Sequence, residues 1–139
     1  MQLPLPTPYS LLSKAALITG AGGLLGFHHA DALLEVGASV FLTDINVNSL
    51  ASCKSKLLKK HPNAQIYVYV IDVTSESSIQ SVSNLILESG NHIDILINNA
   101  AIDFKVSTTN ESNSERLENF SLDRWNQELS VGITGSFLC

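Results

Sequence analysis

The chain has 139 residues, of which 45% are hydrophobic and 15% are charged, and its formal net charge is −5. This length suits one domain, and this composition favours a packed core over disorder. The modest acidic charge and the lack of a basic stripe argue against a nucleic-acid partner, because such binding depends on contacts to phosphates.

Basic residues are concentrated in residues 54–60, which we interpret as a solvated helix face, with a polyanion contact as the alternative. Cys53 and Cys139 have no metal-binding or redox spacing and are expected to be reduced thiols. No apolar run approaches the roughly 20 residues of a membrane span, and residues 1–13 lack the positively charged start of a secretory signal. We therefore expect no membrane partner and a cytoplasmic location.

Apolar strand-like runs alternate with segments of helical period along the chain. The predicted strands are residues 15–19, 39–44, 65–72 and 93–98. This alternation predicts an α/β fold with a parallel sheet and helices on both of its faces.

The helices between these strands are predicted from apolar residues that recur on one face. These residues are Phe27, Ala30 and Leu34, then Val47, Leu50 and Leu57, then Ile79, Val82 and Ile86. Asn46 is the predicted N-cap of the second helix, and Thr74 that of the third.

A polar stretch over residues 102–119 has no period of either kind and is expected to be a mobile surface loop. A last helix is predicted to begin at Ser121 and to continue to the end of the sequence. Its apolar residues are Leu122, Trp125, Leu129, Ile133 and Phe137.

A glycine-rich turn joins the first strand to the first helix, and residues 17–26 read Leu-Ile-Thr-Gly-Ala-Gly-Gly-Leu-Leu-Gly. Glycines permit positive φ and let backbone amides approach a pyrophosphate, while the helix N-terminus adds partial positive charge. A side chain at Gly20 or Gly26 is expected to block that approach. The alternative interpretation is a tight strand-to-helix connection that binds nothing.

Polar side chains follow the other three strands. Asp44 is placed to accept hydrogen bonds from the adenosine ribose and to repel a 2′-phosphate, which favours NAD over NADP, although an Asp there is also a common turn former. Asp72 is placed to contact the adenine edge or to cap the next helix. Residues 98–101, Asn-Asn-Ala-Ala, end the fourth strand. All of these positions fall on the carboxyl edge, where such sheets bind ligands.

Together these residues resemble the N-terminal portion of the short-chain dehydrogenase/reductase family, over about residues 10–139. The family carries a Thr-Gly-x-x-x-Gly-x-Gly turn, an acidic residue after strand two, an Asp-Val pair and Asn-Asn-Ala-Gly. The resemblance implies a Rossmann-type doubly wound parallel sheet, truncated to about four strands in the order 3-2-1-4. The cofactor-binding residues that it implies are Thr19, Gly20, Gly23, Leu25, Gly26, Asp44, Ile45, Asp72, Val73, Asn98 and Ala100.

The chain departs from the family pattern at three positions. Leu24 stands at the middle glycine of the turn, and Ala101 at the last glycine of Asn-Asn-Ala-Gly. Gly132 stands where the family has an Asn that holds a water in its proton relay. A slightly altered turn that still binds the cofactor is expected.

The family's active-site Ser and Tyr-x-x-x-Lys are expected beyond the last helix of this sequence. None of the three tyrosines here is followed four residues later by lysine, so no catalytic residue is assigned and the chain alone is expected to be inactive. His28 and His29 are adjacent on a helix and point to different sides, so no metal site is assigned.

The resemblance thus implies the cofactor-binding part of an NAD-dependent oxidoreductase that transfers hydride between nicotinamide and a small-molecule alcohol or carbonyl. Residues 1–12 are predicted to form a tail, and residues 13–139 a partial NAD-binding domain. The helix 121–139 is expected to mediate a homo-oligomer. The alternatives are a non-catalytic dinucleotide-binding module and an inactive remnant that binds nothing.

Overall fold

A four-stranded parallel sheet organises the protein in a computed structural model that describes residues 9–102 and 117–139. Its strands are β1 (Ala15–Ile18), β2 (Ser39–Asp44), β3 (Ile66–Val70) and β4 (Ile95–Ile97), in the spatial order β3-β2-β1-β4. The register places Leu17 between Phe41 and Leu96. The predicted strand order and doubly wound fold class are confirmed.

Three of the strands predicted from sequence are longer than those observed. The first stops at Ile18, because Gly20 adopts a φ of +64° and turns the chain into the next helix. The third stops at Val70, and the Asp72 carboxylate then closes a tight turn on Thr74. The fourth, predicted from residue 93, starts only at Ile95, and the carboxylate of Asp94 accepts a hydrogen bond from the Ala15 amide.

Helices cover both faces of the sheet. They are α1 (Leu24–Glu35), α2 (Val47–Lys60) and α3 (Glu76–Glu88), followed by α4 (Leu122–Leu129) and α5 (Gly135–Leu138). A core cluster on one face joins α1 and α2 to the sheet through residues such as Leu34, Val40 and Leu57. The cluster on the other face joins α3 through Val82 and Ile86.

Helix starts agree with the sequence prediction at two of three places. Asn46 caps α2 by accepting hydrogen bonds from the amides of Asn48 and Ser49, and Ser121 caps α4. The prediction of Thr74 as the cap of α3 is wrong, since Ser75 accepts the amide of Ser78. Thr74 instead bonds to Asp72 through its hydroxyl and its amide. Val47, predicted on the buried face of α2, is exposed because it is the first helical residue.

The last helix is not a regular α-helix. A π-helical segment, Ser130–Thr134, joins α4 to α5, and the amide of Gly135 bonds to the carbonyl of Ser130. This wider turn lets Gly135 lie directly on Val73, where a Cβ would be 2.8 Å from Val73 Cγ2. Four of the five predicted apolar residues of this helix are exposed: Leu122, Trp125, Ile133 and Phe137.

The predicted mobile loop falls mostly on residues 103–116, outside the described residues, and Leu117–Asn119 forms a short 3₁₀ turn. No helix in the described part of the chain is long and apolar enough to cross a membrane.

Candidate functional site

The glycine turn leads directly from β1 into α1. The amide of Thr19 bonds to the carbonyl of Ile97 at 3.0 Å, and the amide of Gly23 bonds to the carbonyl of Gly20 at 3.1 Å. Gly23 precedes α1 without a side-chain cap, and the first intrahelical bond runs from the Phe27 amide to the Gly23 carbonyl. The amides of residues 24–26 therefore precede the hydrogen-bond ladder of the helix, as an anion site requires.

Glycine is required in this turn by the protein's own backbone. A Cβ on Gly20 would lie 2.8 Å from the Cα of Ala100, and the positive φ of Gly20 disfavours any side chain there. A Cβ on Gly26 would lie 2.6 Å from the Cα of Ala21 and would also contact the carbonyl oxygen of Gly20. A side chain at Gly20 or Gly26 would therefore collide with the protein's own backbone even when no phosphate is bound.

The end of β4 is tied to this turn by Thr19 and Asn99. The buried Thr19 hydroxyl accepts hydrogen bonds from the amides of Asn99 and Ala100, both at 3.0 Å. In return, the Asn99 side chain donates to the carbonyls of Thr19, at 2.9 Å, and Gly20, at 3.1 Å. These bonds fix the turn against β4. Asn98 instead donates to the Ser136 carbonyl at 3.3 Å.

Asp44 lies at the end of β2 and faces the glycine turn. Its Oδ2 accepts a hydrogen bond from the Gly22 amide at 3.0 Å, and its Oδ1 accepts one from the Asn46 amide at 2.9 Å. The next residue, Ile45, is 68% exposed. This apolar side chain therefore stands free beside the carboxylate.

Asp72 and Val73 follow β3 at the same edge. The Thr74 hydroxyl, at 2.6 Å, and the Thr74 amide, at 2.9 Å, both donate to Asp72 Oδ1 and hold the pKa of Asp72 below its ordinary value. Val73 is buried under Gly135. Of the two roles considered for Asp72, capping α3 belongs instead to Ser75.

A cleft of about 810 Å³ brings these segments together. This volume lies within the range of about 300–1,000 Å³ typical of ligand sites. Eight of the predicted residues line it: Gly20, Gly23, Leu25, Asp44, Ile45, Asp72, Val73 and Ala100. The other three do not: Thr19 and Gly26 lie beneath its surface, and Asn98 is turned toward the last helix.

One wall of the cleft was missed by the sequence analysis. Gln127, Ser130 and Val131 of the last helix line it, together with Leu24 at the start of α1. Their spacing of i, i+3 and i+4 marks one helix face, which was available from the sequence. The sequence did not indicate what this face contacts, because residues 102–119, which precede the helix, have no periodic pattern.

Two carboxylates of the cleft have no cationic partner in the described residues. Neither Asp44 nor Asp72 forms an ion pair with a Lys, Arg or His of residues 9–102 or 117–139. The same residues hold no group of three His, Cys, Asp or Glu side chains arranged for a metal ion. Among the described residues, the charged side chains that line the cleft are therefore these two carboxylates, accompanied by backbone amides and neutral polar side chains.

Comparison with known proteins shows which family this chain resembles. Residues 14–139 match the family described as short chain dehydrogenase. The uncharacterized oxidoreductase YxjF of Bacillus subtilis is 31% identical over 125 residues, which cover 90% of this chain and 44% of that protein. Levodione reductase of Leifsonia aquatica is 30% identical over 125 residues, with the same shares of 90% and 44%.

Solved structures agree with the sequence match. A crystal structure of levodione reductase has a TM-score of 0.77 and 29% identity over 91% of this chain and 46% of that one. The structure of NAD+-bound xylitol dehydrogenase has a TM-score of 0.75 and 30% identity over 91% and 45%. The chain spans less than half the length of these relatives. The resemblance seen in the sequence is confirmed, and the chain belongs to the short-chain dehydrogenase/reductase family of oxidoreductases, of which it covers an N-terminal part.

Proposed function

We propose that the cleft binds NAD and that the chain is the cofactor-binding part of an NAD-dependent dehydrogenase acting on a small-molecule alcohol or carbonyl. The observation that carries this proposal is the convergence of separate sequence segments on one cleft around the first turn of α1. A related structure supports the choice of cofactor, since xylitol dehydrogenase was solved with NAD+ bound.

The residues present fit a dinucleotide. Gly20 and Gly23 line the cleft without a side chain, and the first-turn amides of α1 supply donors for a bridging pyrophosphate. Thr19 and Gly26 then support that turn from beneath the surface of the cleft. Asp44 offers a carboxylate for ribose hydroxyls, and the exposed Ile45 offers an apolar surface beside it.

The remaining predicted residues complete the proposed seat. Asp72 and Val73, after β3, would contact the adenine side, and Ala100, after β4, the nicotinamide side. Asn98 would act indirectly, since its side chain donates to the Ser136 carbonyl and connects β4 to the last helix. When bound, the nicotinamide supplies the carbon that gives or takes the hydride. This chain's own residues bind and orient; the proton-exchanging groups of the reaction are not assigned to any residue of it.

The cofactor preference follows from charge. The Asp44 carboxylate has no cationic partner in the described residues and would repel a 2′-phosphate at the adenosine ribose, so NAD is preferred to NADP. Isothermal titration with NAD+ and NADP+ tests this directly. NAD+ is expected to bind more tightly, and the ratio of the two affinities is expected to shift toward NADP+ in Asp44→Ala.

Asp123→Ala provides a matched control for that titration, because it removes the same side chain from the exposed first turn of α4, away from the cleft. Absence of any NAD+ binding by the wild-type chain would refute the proposed function. An unchanged preference in Asp44→Ala would leave NAD binding intact but remove Asp44 as its discriminator.

We also propose that residues 121–139 mediate a homo-oligomer. Trp125 is 50% exposed and Phe137 84%, an apolar surface that a second copy would remove from water. Sedimentation equilibrium is expected to show a dimer or larger species that Phe137→Ser weakens, and a monomer in the wild type contradicts this.

The proposed location is the cytoplasm, since Cys53 and Cys139 are free thiols whose pKa values are raised by burial.

A further inference from the structure

Asp44 is engaged on both of its carboxylate oxygens before any ligand is considered. The Gly22 amide donates to Oδ2 at 3.0 Å, and the Asn46 amide donates to Oδ1 at 2.9 Å. These two amides belong to different segments, the glycine turn and the cap of α2. The carboxylate therefore connects the phosphate turn to the start of a second helix.

Gly22 is packed tightly into that connection. A Cβ at Gly22 would lie 2.6 Å from the Cβ of Ser49 and 3.0 Å from Asp44 Oδ2, so no side chain fits between the turn and α2. Ser49 is itself fixed, since its amide donates to the side chain of the Asn46 cap at 3.0 Å. The turn therefore rests on the capped first turn of α2.

The neighbours of Gly22 are held differently. The Ala21 amide donates to the Thr43 carbonyl at 2.9 Å, and the Gly23 amide donates to the Gly20 carbonyl at 3.1 Å. Only for Gly22, among these three, is the observed acceptor a side chain, the carboxylate of Asp44. Hydrogen bonds to carboxylates are stronger than bonds between neutral groups, and glycine regains the most backbone freedom when such a bond is removed.

We propose that Asp44 is a positioning residue for the phosphate site, in addition to any contact that it makes with the ribose. By holding the Gly22 amide, it fixes the turn in the shape that presents the amides at the start of α1. This inference rests on the proposed NAD function of the cleft. It assigns Asp44 an effect on parts of the cofactor that it does not touch.

Both roles are compatible in one carboxylate. Each oxygen has two acceptor positions, of which one is used by a backbone amide, so a ribose hydroxyl can be accepted without releasing the turn. Removing the carboxylate should then weaken the cofactor in two ways. A ligand without the adenosine ribose hydroxyls reports only on the second way, the loss of turn geometry.

The test compares NAD+ with its 2′,3′-dideoxyadenosine analogue, titrated into the full chain and its variants. Asp44→Ala is expected to weaken the analogue by about tenfold, the order of effect of one charge-assisted hydrogen bond. Asp44→Asn, whose side-chain oxygen can still accept one amide, is expected to recover part of that loss. Asp123→Ala should bind both ligands as the wild type does.

An amide readout tests the same contact without any ligand. In ¹⁵N-labelled chain, hydrogen exchange of the Gly22 amide is expected to accelerate about tenfold in Asp44→Ala, while the Ala21 amide stays protected. Asp44→Asn gives the same comparison if the alanine variant does not fold.

The possible results separate the two proposals. Analogue affinities within twofold of each other in wild type, Asp44→Ala and Asp44→Asn overturn the positioning role, even if NAD+ itself is weakened. An unchanged Gly22 exchange rate also overturns it. A wild-type chain that binds neither ligand refutes the proposed NAD function, and the exchange measurement then still decides whether Asp44 holds the turn.

Discussion

The two edges of the sheet carry similar side chains and use them differently. At the amino edge, Asp94 accepts hydrogen bonds from Lys14 at 2.8 Å and from the Ala15 amide at 2.9 Å, and His92 lies 3.2 Å away. At the carboxyl edge, every hydrogen bond that Asp44 accepts from the described residues comes from a backbone amide. The amino edge therefore neutralises its carboxylate, whereas the carboxyl edge leaves the charge available.

A second carboxylate outside the ligand cleft shows the same neutralisation. Asp31 of α1 bonds to Lys60 and His61 at the end of α2. Burial raises the pKa of Asp31, but the hydrogen bonds from Lys60 and His61 outweigh it, so that the net shift is downward. The charge of Asp31 is thus neutralised by the contacts that join α1 to α2.

Cleft size does not distinguish the two edges. A cleft of about 780 Å³ lies beside Lys60 and His61, against about 810 Å³ at the carboxyl edge. The difference is chemical: the second cleft collects the start of α1, a glycine turn and acceptors without cations. A candidate site in this protein is therefore identified by carboxylates that lack a cationic partner among the described residues and by the start of α1, more than by the volume of the cleft.

Gly26→Val alters the carboxyl edge and should have the largest effect. The added side chain would meet the backbone of Gly20 and Ala21, which cannot move without opening the turn. We expect a loss of about 3 kcal/mol in the free energy of unfolding, as for overpacked cores, together with loss of NAD+ binding. Urea denaturation and titration calorimetry measure the two effects.

Gly132→Ala is the matched control, because no atom of residues 9–102 or 117–139, apart from its chain neighbours and the backbone of its own helix, lies within 4 Å of a Cβ placed there. It should leave NAD+ binding unchanged and raise the helix propensity by about 0.5–1 kcal/mol. If Gly26→Val were as stable as the wild type, the packing explanation for this glycine would be wrong.

Gly26 also illustrates what the sequence allowed to be predicted. The turn and the segments that meet at the cleft followed from alternation and from local motifs, because parallel strands bring their carboxyl ends to one edge. The strand order followed from the family resemblance. The reason for each glycine did not follow, since it depends on contacts with Ala21, Ala100 or Ser49 that form only in the folded chain. The same holds for Asp31, whose partners Lys60 and His61 lie at the end of another helix.

Asp31→Asn tests the amino edge and should have the second largest effect. Replacing the carboxylate weakens its bonds to Lys60 and His61 and is expected to cost about 1.5 kcal/mol near pH 7, with NAD+ affinity unchanged. Glu35→Gln is the control, because Glu35 is half exposed and 3.5 Å from Lys60, and its effect should stay below about 0.5 kcal/mol.

The pH dependence of that difference has a defined sign. The pKa of Asp31 in the folded chain lies below its ordinary value of 3.8, so its contribution to stability is present above pH 3.8 and is lost as the pH falls through the lowered value. Thermal unfolding of wild type and Asp31→Asn should therefore converge in acid. A gap that widens below pH 3.8 would contradict the assignment.

The smallest effects separate Ser75 from Thr74, neighbours at the carboxyl edge with similar hydroxyls. Ser75→Ala removes the N-cap of α3 and should cost about 1 kcal/mol, whereas Thr74→Val keeps the cap and should cost less. In turn, Thr74→Val should raise the pKa of Asp72 toward its ordinary value, because the Thr74 hydroxyl is the main cause of the lowering. Carboxyl ¹³C titration measures this shift. If the pKa of Asp72 changed in Ser75→Ala and not in Thr74→Val, the N-cap of α3, and not the Thr74 hydroxyl, would be the cause of the lowered pKa.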